Sequence, residues 1–251
     1  MRTWMFDLDD TLLDTAVDYN RVKAEFLRFL YMRHERAPSL LSVAERVEKR
    51  NVELVKQHGF RSCRFPLALQ QVYGELCDEM GVPKTHSEPV YGLGLSTYDV
   101  KTWKARGLVP GSTSTLDFLH EKGDELLILT KGDEDVQTEK VRALNLERWF
   151  GDECGFVPDI TTPVPDARVL IVPHKHVPMY QHVLNDREPA NVRMVGNSLH
   201  SDVMPAVSAG FRVVYIPAAS WVYEDGGKAV EHERITKLEN IGQIVEKYEE
   251  L

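Results

Sequence analysis

Five short apolar runs, each closed by polar or turn residues, constrain this chain more than any other feature. They are Thr3–Phe6, Glu125–Thr130, Val169–Val172, Val192–Val195 and Phe211–Ile216. None has the alternation of a strand with one wet face, so each suits a strand buried on both faces. Helical patterns lie between them. Thr113–Glu121 carries Leu116 and Leu119. Glu134–Leu144 carries Val136, Val141 and Leu144. Pro178–Leu184 carries Met179, Tyr180, Val183 and Leu184. Asp202–Ala209 ends at Gly210, a suitable C-cap. Strands alternating with helices predict βαβ units, a parallel sheet and an α/β fold.

One long segment breaks the alternation. Between Ala16 and Arg106 no strand pattern occurs, and three amphipathic stripes do. Val22, Phe26, Phe29 and Leu30 form the first. Leu40, Val43, Ala44, Val47 and Leu54 form the second. Leu69, Val72, Tyr73, Leu76, Cys77 and Met80 form the third, at helical spacing. These stripes read as core packing. The expected organisation is an α/β core from residues 1–15 and 108–251, with a helical subdomain, 16–107, inserted after the first strand. Pro110-Gly111 marks the return. The last segment, from Ser220, is polar, with a loop signal at Glu224–Gly227 and a terminal helix bearing Ile241, Ile244 and Val245.

Bulk properties exclude several classes. The net charge of −9 argues against a nucleic-acid partner. No apolar run approaches the roughly 20 residues needed to span a bilayer. Acidic residues at positions 7, 9 and 10 do not suit a signal peptide. Cys63, Cys77 and Cys154 are widely spaced and suit reduced, packed thiols. A cytoplasmic protein is expected.

Chemistry concentrates at Asp7-Leu8-Asp9-Asp10-Thr11. Ligands of open α/β sheets bind at the carboxyl ends of strands, where Asp7 lies. Asp7 and Asp9 are two residues apart, so on extended chain both face one side. Crowded carboxylates repel unless a cation or a proton neutralises one of them. Mg²⁺ takes oxygen ligands and commonly joins carboxylates to substrate phosphate.

The run resembles motif one of the haloacid dehalogenase superfamily, D-x-D-x-T. The resemblance implies that Asp7 is a nucleophile attacking phosphorus. It implies that Asp9 is the acid/base, its backbone carbonyl also binding Mg²⁺. Leu127–Asp133 resembles motif two, with Thr130 and the amides after it, Lys131 included, holding phosphoryl oxygens. Lys175, after the Val169–Val172 strand, resembles the motif-three lysine. Its neighbours His174 and His176 read as exposed loop imidazoles. Val195–Asp202 resembles motif four, with Asn197 where the family usually has Asp, and Asp202 retained. The metal set implied is Asp7, Asp9, Asn197 and Asp202, and the fold implied is a Rossmann-like core with a C1-type helical cap that closes over the site.

Asp9 separates this pattern from the superfamily's dehalogenases, which lack the second aspartate. Lys23 and Lys56 lie in the insertion, but neither is marked for Schiff-base chemistry. The expected activity is Mg²⁺-dependent hydrolysis of a small phosphate monoester from a phosphorylated metabolite. A sugar phosphomutase stays open, as does a catalytically weak relative that binds a phosphorylated metabolite or a protein partner. A response-regulator-like domain would need no such insertion. Arg61 and Arg64, between two cap helices, are candidates for a second anionic group of the substrate.

Overall fold

A computed structural model describes residues 1–218 and 231–251. The Glu224–Gly227 loop signal lies outside the described residues. The fold comprises two compact units, residues 1–16 with 100–251, and residues 17–99.

The first unit is built on a parallel sheet of seven strands. They are β1 (Thr3–Phe6), β2 (Glu125–Lys131), β3 (Cys154–Phe156), β4 (Val169–Val172), β5 (Val192–Gly196), β6 (Arg212–Tyr215) and β7 (Ile235–Lys237). Their spatial order is β3-β4-β2-β1-β5-β6-β7. β1 is the central strand. Phe6 pairs in register with Ile128 of β2 and with Val195 of β5. The chain leaves β1 toward β2 and later returns to its other side as β5. A crevice therefore opens at the carboxyl end of β1, where the strand order reverses.

β1 is buried on both faces, with Trp4, Met5 and Phe6 fully covered. On one face Met5 joins Leu127, Leu129, Leu170, Met194 and Val213. On the other, Phe6 meets Phe150 edge to face at 6.3 Å. Each such fully buried large apolar side chain contributes about 1.5–3 kcal/mol. Five of the strands match the apolar runs of the sequence. The two extra strands, β3 and β7, lie at the sheet edges and are three residues each, too short to carry a periodic signal. The expected Asp202–Ala209 helix instead begins earlier, as a π-helical turn at Leu199–Val203 that runs into a short α-helix at Met204–Ser208. The terminal helix is a single turn, Gln243–Glu246, which buries Ile244, while Ile241 is buried just before it.

The second unit is all helical, with α1 (Ala16–Tyr31) running into it, then α2 (Leu40–His58), α3 (Arg64–Met80) and α4 (Ser87–Leu95). Val22, Phe26, Leu30, Val43, Val47, Leu69, Val72, Tyr73 and Leu76 share its core. Leu40, expected in the second stripe, is 57% exposed, because it opens α2 one turn before the buried face begins. Residues 100–107, expected with this insertion, belong to the first unit. After α6 (Ser112–Glu121), the chain forms α7 (Glu134–Ala143), against which α5 (Val100–Arg106) packs, and Arg106 donates to the Asp14 carbonyl. The three cysteines are free thiols, with Cys77 buried. Among the described residues, no helix is long and apolar enough to cross a membrane.

Candidate active site

The turn after β1 is folded by its own hydrogen bonds. The Asp7 amide donates to the Val195 carbonyl at 2.9 Å, which continues the ladder to β5. The amides of Leu12 and Leu13 both donate to the Leu8 carbonyl at 3.0 Å. Asp10 sits at φ 59° and turns its carboxylate inward to cap the start of α1. Asp10 Oδ1 accepts from the amides of Thr15 and Ala16 and from the Thr15 hydroxyl, each at 2.8 Å. The three aspartates of the motif thus differ in role: Asp10 builds the loop, and Asp7 and Asp9 are presented by it.

Asp7 is 6% exposed and faces a buried cation. Lys175, on the loop after β4, donates from Nζ to Asp7 Oδ1 and to Asp202 Oδ1, the latter at 2.8 Å. Asp202 is anchored on its other oxygen by the Ser198 amide at 3.0 Å. The π-helical turn gives this short reach, and Gly196 leaves room for it. A Cβ on Gly196 would stand 2.5 Å from Asp202 Oδ2 and 2.6 Å from its Cβ and Cγ. Thr11 Oγ1 lies 3.3 Å from both Asp7 Oδ2 and Asn197 Oδ1, so its single proton is shared between them.

Burial and the Asp202 carboxylate push the Asp7 carboxyl up to about 7, against the pull of Lys175. Lys175 is raised: its two carboxylate partners outweigh the cost of its burial. Tyr180 Oη, 3.0 Å from the Ser201 carbonyl, is raised well above its usual value by burial and the same carboxylates. The centre therefore holds more negative charge than it can neutralise alone: two carboxylates against one ammonium.

That imbalance suits a hard cation. Among the described residues, no three His, Cys, Asp or Glu side chains gather as a metal-ligand group. A cation here would rest on Asp7, Asp202, the Asn197 amide oxygen and backbone or solvent oxygens. All are oxygen donors, as Mg²⁺ requires, and a dication would turn the net charge from −1 to +1 before phosphate arrives.

The other expected residues divide between the two units. Thr130, at the end of β2, is 1% exposed, and its Oγ1 accepts from Gln137 Nε2 at 2.8 Å. Lys131 donates to Ser201 Oγ at 2.6 Å. Asp9 is half-buried and its carboxylate is held by Lys140 and Gln137. His174 and His176 are exposed. Arg61 and Arg64 lie in the helical unit. Arg61 is exposed, whereas Arg64 is 4% exposed, donates to Asn51 Oδ1 and lies 5.7 Å over the Phe60 ring.

Gln137 and Lys140 are missing from the sequence expectations. Counting only apolar residues on α7 selects Val136, Val141 and Leu144. The buried face is instead Gln137, Lys140, Val141 and Leu144, at i, i+3, i+4 and i+7. Two polar residues on the buried stripe of a helix beginning one turn after Thr130 are the signal.

A parallel α/β sheet with a carboxylate–lysine cluster at its central switch point, and a helical unit inserted after its first strand, defines an α/β protein with a carboxylate centre. The chain belongs to the haloacid dehalogenase-like hydrolases, whose family model matches residues 1–210. It is similar to glyceraldehyde 3-phosphate phosphatase from Methanothermobacter thermautotrophicus, 23% identical over 98% of this chain and 99% of the relative. It is also similar to human N-acylneuraminate-9-phosphatase, 24% identical over 90% of this chain and 84% of the relative. A haloacid dehalogenase-like hydrolase from Xanthomonas campestris shares the fold with a TM-score of 0.71 at 19% identity, covering 100% of this chain and 95% of that one. The HAD hydrolase YfnB from Bacillus subtilis, bound to magnesium, has a TM-score of 0.57 at 16% identity, covering 98% and 97%.

Proposed function

We propose that this hydrolase is a Mg²⁺-dependent phosphatase that cleaves a small phosphate monoester through an aspartyl-phosphate on Asp7. The observation that carries the reading is Asp7 itself. It is buried just past the carboxyl end of the central strand and bonded to Lys175, with Thr130 at the end of the adjacent strand. The phosphatase relatives support the reaction class.

In the proposed mechanism, Asp7 attacks phosphorus as the bond to the leaving oxygen breaks. Asp9 gives that oxygen a proton. Asp9 then takes a proton from water, which attacks the aspartyl-phosphate and releases inorganic phosphate with Asp7 restored. Splitting one displacement into two lowers each barrier. Thr130 and the amides after it hold phosphoryl oxygens, and Lys175 offsets their charge. Bound Mg²⁺ would supply charge neutralisation for the phosphoryl group, held by Asp7, Asp202 and Asn197 with the Asp9 carbonyl. Asp7 must be ionised to attack, so neutralising the centre also draws its raised pKa down. We assign substrate choice to the helical unit 17–99, with the exposed Arg61 as the candidate for a second anionic group; Arg64 is buried against Asn51 and Phe60 within that unit.

The test is hydrolysis of an aryl phosphate by purified protein, with and without Mg²⁺, beside Asp7→Asn. Mg²⁺-dependent turnover that the substitution abolishes supports the reading. Turnover unchanged in Asp7→Asn, or absent on a panel of small monoesters, rejects it.

A further inference from the structure

The acid/base carboxylate does not hang free at the mouth of the crevice. Lys140 Nζ lies 2.7 Å from Asp9 Oδ1 and 2.9 Å from Oδ2. The lysine side chain is 7% exposed and the Asp9 side chain 31%, so the cation is the inner partner. Gln137 Nε2 donates to Asp9 Oδ2 at 3.0 Å, and also reaches Thr130 Oγ1 and the Lys131 carbonyl, both at 2.8 Å. Two amide protons serve three acceptors, so one is shared. The orientation of this amide is dictated by chemistry: turned round, its oxygen would face a carboxylate and a carbonyl.

The support for this arrangement is built in. Gln137 and Lys140 are three residues apart on α7, hence on one face. Gly132 sits at φ 144°, and a Cβ there would stand 3.2 Å from Gln137 Nε2. Behind Lys140, the fully buried Trp103 ring of α5 lies 5.6 Å from Nζ. A cation against an indole face is stabilised without being hydrated. A buried ammonium touching both oxygens holds a carboxylate better than an exposed pair does.

We propose that Lys140, with Gln137, is a positioning residue that fixes the Asp9 carboxylate in the direction of the leaving group. Lys140 acts only through Asp9 and does not touch substrate. The inference rests on the phosphatase reading, and it adds a physical reason for α7: the helix ties the acid/base to Thr130 through one amide. A misplaced catalytic group costs about 10²-fold when its geometry slips by an ångström.

The test compares kcat/KM for phenyl phosphate, whose leaving group needs a proton, with that for 4-nitrophenyl phosphate, whose leaving group needs little help. Lys140→Met should lower kcat/KM on phenyl phosphate by about 10²-fold and on the nitrophenyl ester by less than about tenfold. Lys140→Arg should restore most of the loss. In an Asp9→Asn background, Lys140→Met should have little further effect, because both changes remove one unit. Lys140→Gln, which keeps a polar side chain but removes the ammonium, should show the same leaving-group pattern and serves if Lys140→Met does not fold. Equal losses on both esters, or losses that multiply with Asp9→Asn, would overturn the clamp. Wild-type activity lost in Asp7→Asn marks the phosphatase reading as sound while the clamp fails; wild-type activity insensitive to Asp7→Asn removes both.

Discussion

Replacing Lys175 by methionine perturbs the most crowded charges in the molecule. The Lys175 side chain is 1% exposed and bridges Asp7 and Asp202, whose side chains are 9% and 1% exposed. Removing the ammonium leaves two buried carboxylates facing each other. Breaking a buried pair in this way costs about 3–5 kcal/mol. Protons or Mg²⁺ should each relieve that cost. Asp7 already has a folded pKa of about 7 against an ordinary 3.8. The folded state therefore binds more protons than the unfolded chain between those values, and stability falls as pH rises through that window. Taking up one proton becomes easier by about 1.4 kcal/mol per pH unit. Moving from about pH 8 to about pH 5 should stabilise the variant by up to about 4 kcal/mol and wild type by about 2.7 kcal/mol, so the gap between them should close by about 1–1.5 kcal/mol. The assay is urea denaturation of wild type and Lys175→Met in EDTA at both pH values, repeated at the higher pH with Mg²⁺. The expected result is a large destabilisation at high pH that shrinks at low pH and with Mg²⁺, while activity stays lost throughout. Equal destabilisation at both pH values, unmoved by Mg²⁺, would refute the charge argument and leave only lost packing.

The same geometry fixes four more outcomes. Wild-type protein should gain more unfolding temperature from Mg²⁺ at pH 8 than at pH 5, because only at the higher pH is Asp7 ionised and unneutralised; thermal scans at about those two values check this. Gly196→Ala should cut activity by about 10²-fold, since the new methyl displaces Asp202, and steady-state kinetics with circular dichroism separates that from unfolding. Asn197→Asp adds a third carboxylate and should lower the Mg²⁺ concentration for half-maximal activity, read from a metal titration. Arg64→Ala should destabilise by about 1–3 kcal/mol through loss of its buried contacts, whereas Arg61→Ala should leave stability unchanged; denaturation midpoints separate the two.

The parts of the fold written in short buried apolar runs were legible. β1, β2, β4, β5 and β6 are mostly apolar segments, with Arg193 of β5 and Arg212 of β6 as exceptions, because a strand covered on both faces admits little else. The edge strands β3 and β7 were not, since three residues with one free side bear no such demand. At the site, Asp7 could be singled out because it closes the first apolar run, and Thr130, Lys175, Asn197 and Asp202 because their segments resemble the family's later motifs. Their mutual contacts could not. The Lys175 bridge depends on how far the Leu199–Val203 turn reaches, a property of backbone spacing and of Gly196 rather than of residue type. Lys140 escaped for a different reason: amphipathic reading counts apolar residues as buried and charged ones as exposed. A buried lysine on a helix face inverts that rule.

The pairing of β1 also shapes how this chain assembles. Its neighbours begin 122 residues away, at Glu125, and 189 away, at Val192 (192 − 3). The helices of residues 17–99 close their contacts within one stretch of chain, whereas β1 must wait for both distant strands. Non-local pairing of this kind is slow because loop closure precedes any gain in burial. Asp7, which precedes both of those strands in the chain, thus acquires its burial, its lysine and its oxygen neighbours only when the last central strand docks. The chemistry of the site cannot precede completion of the sheet, so a partly folded chain carries a solvated Asp7 with an ordinary carboxylate's reactivity.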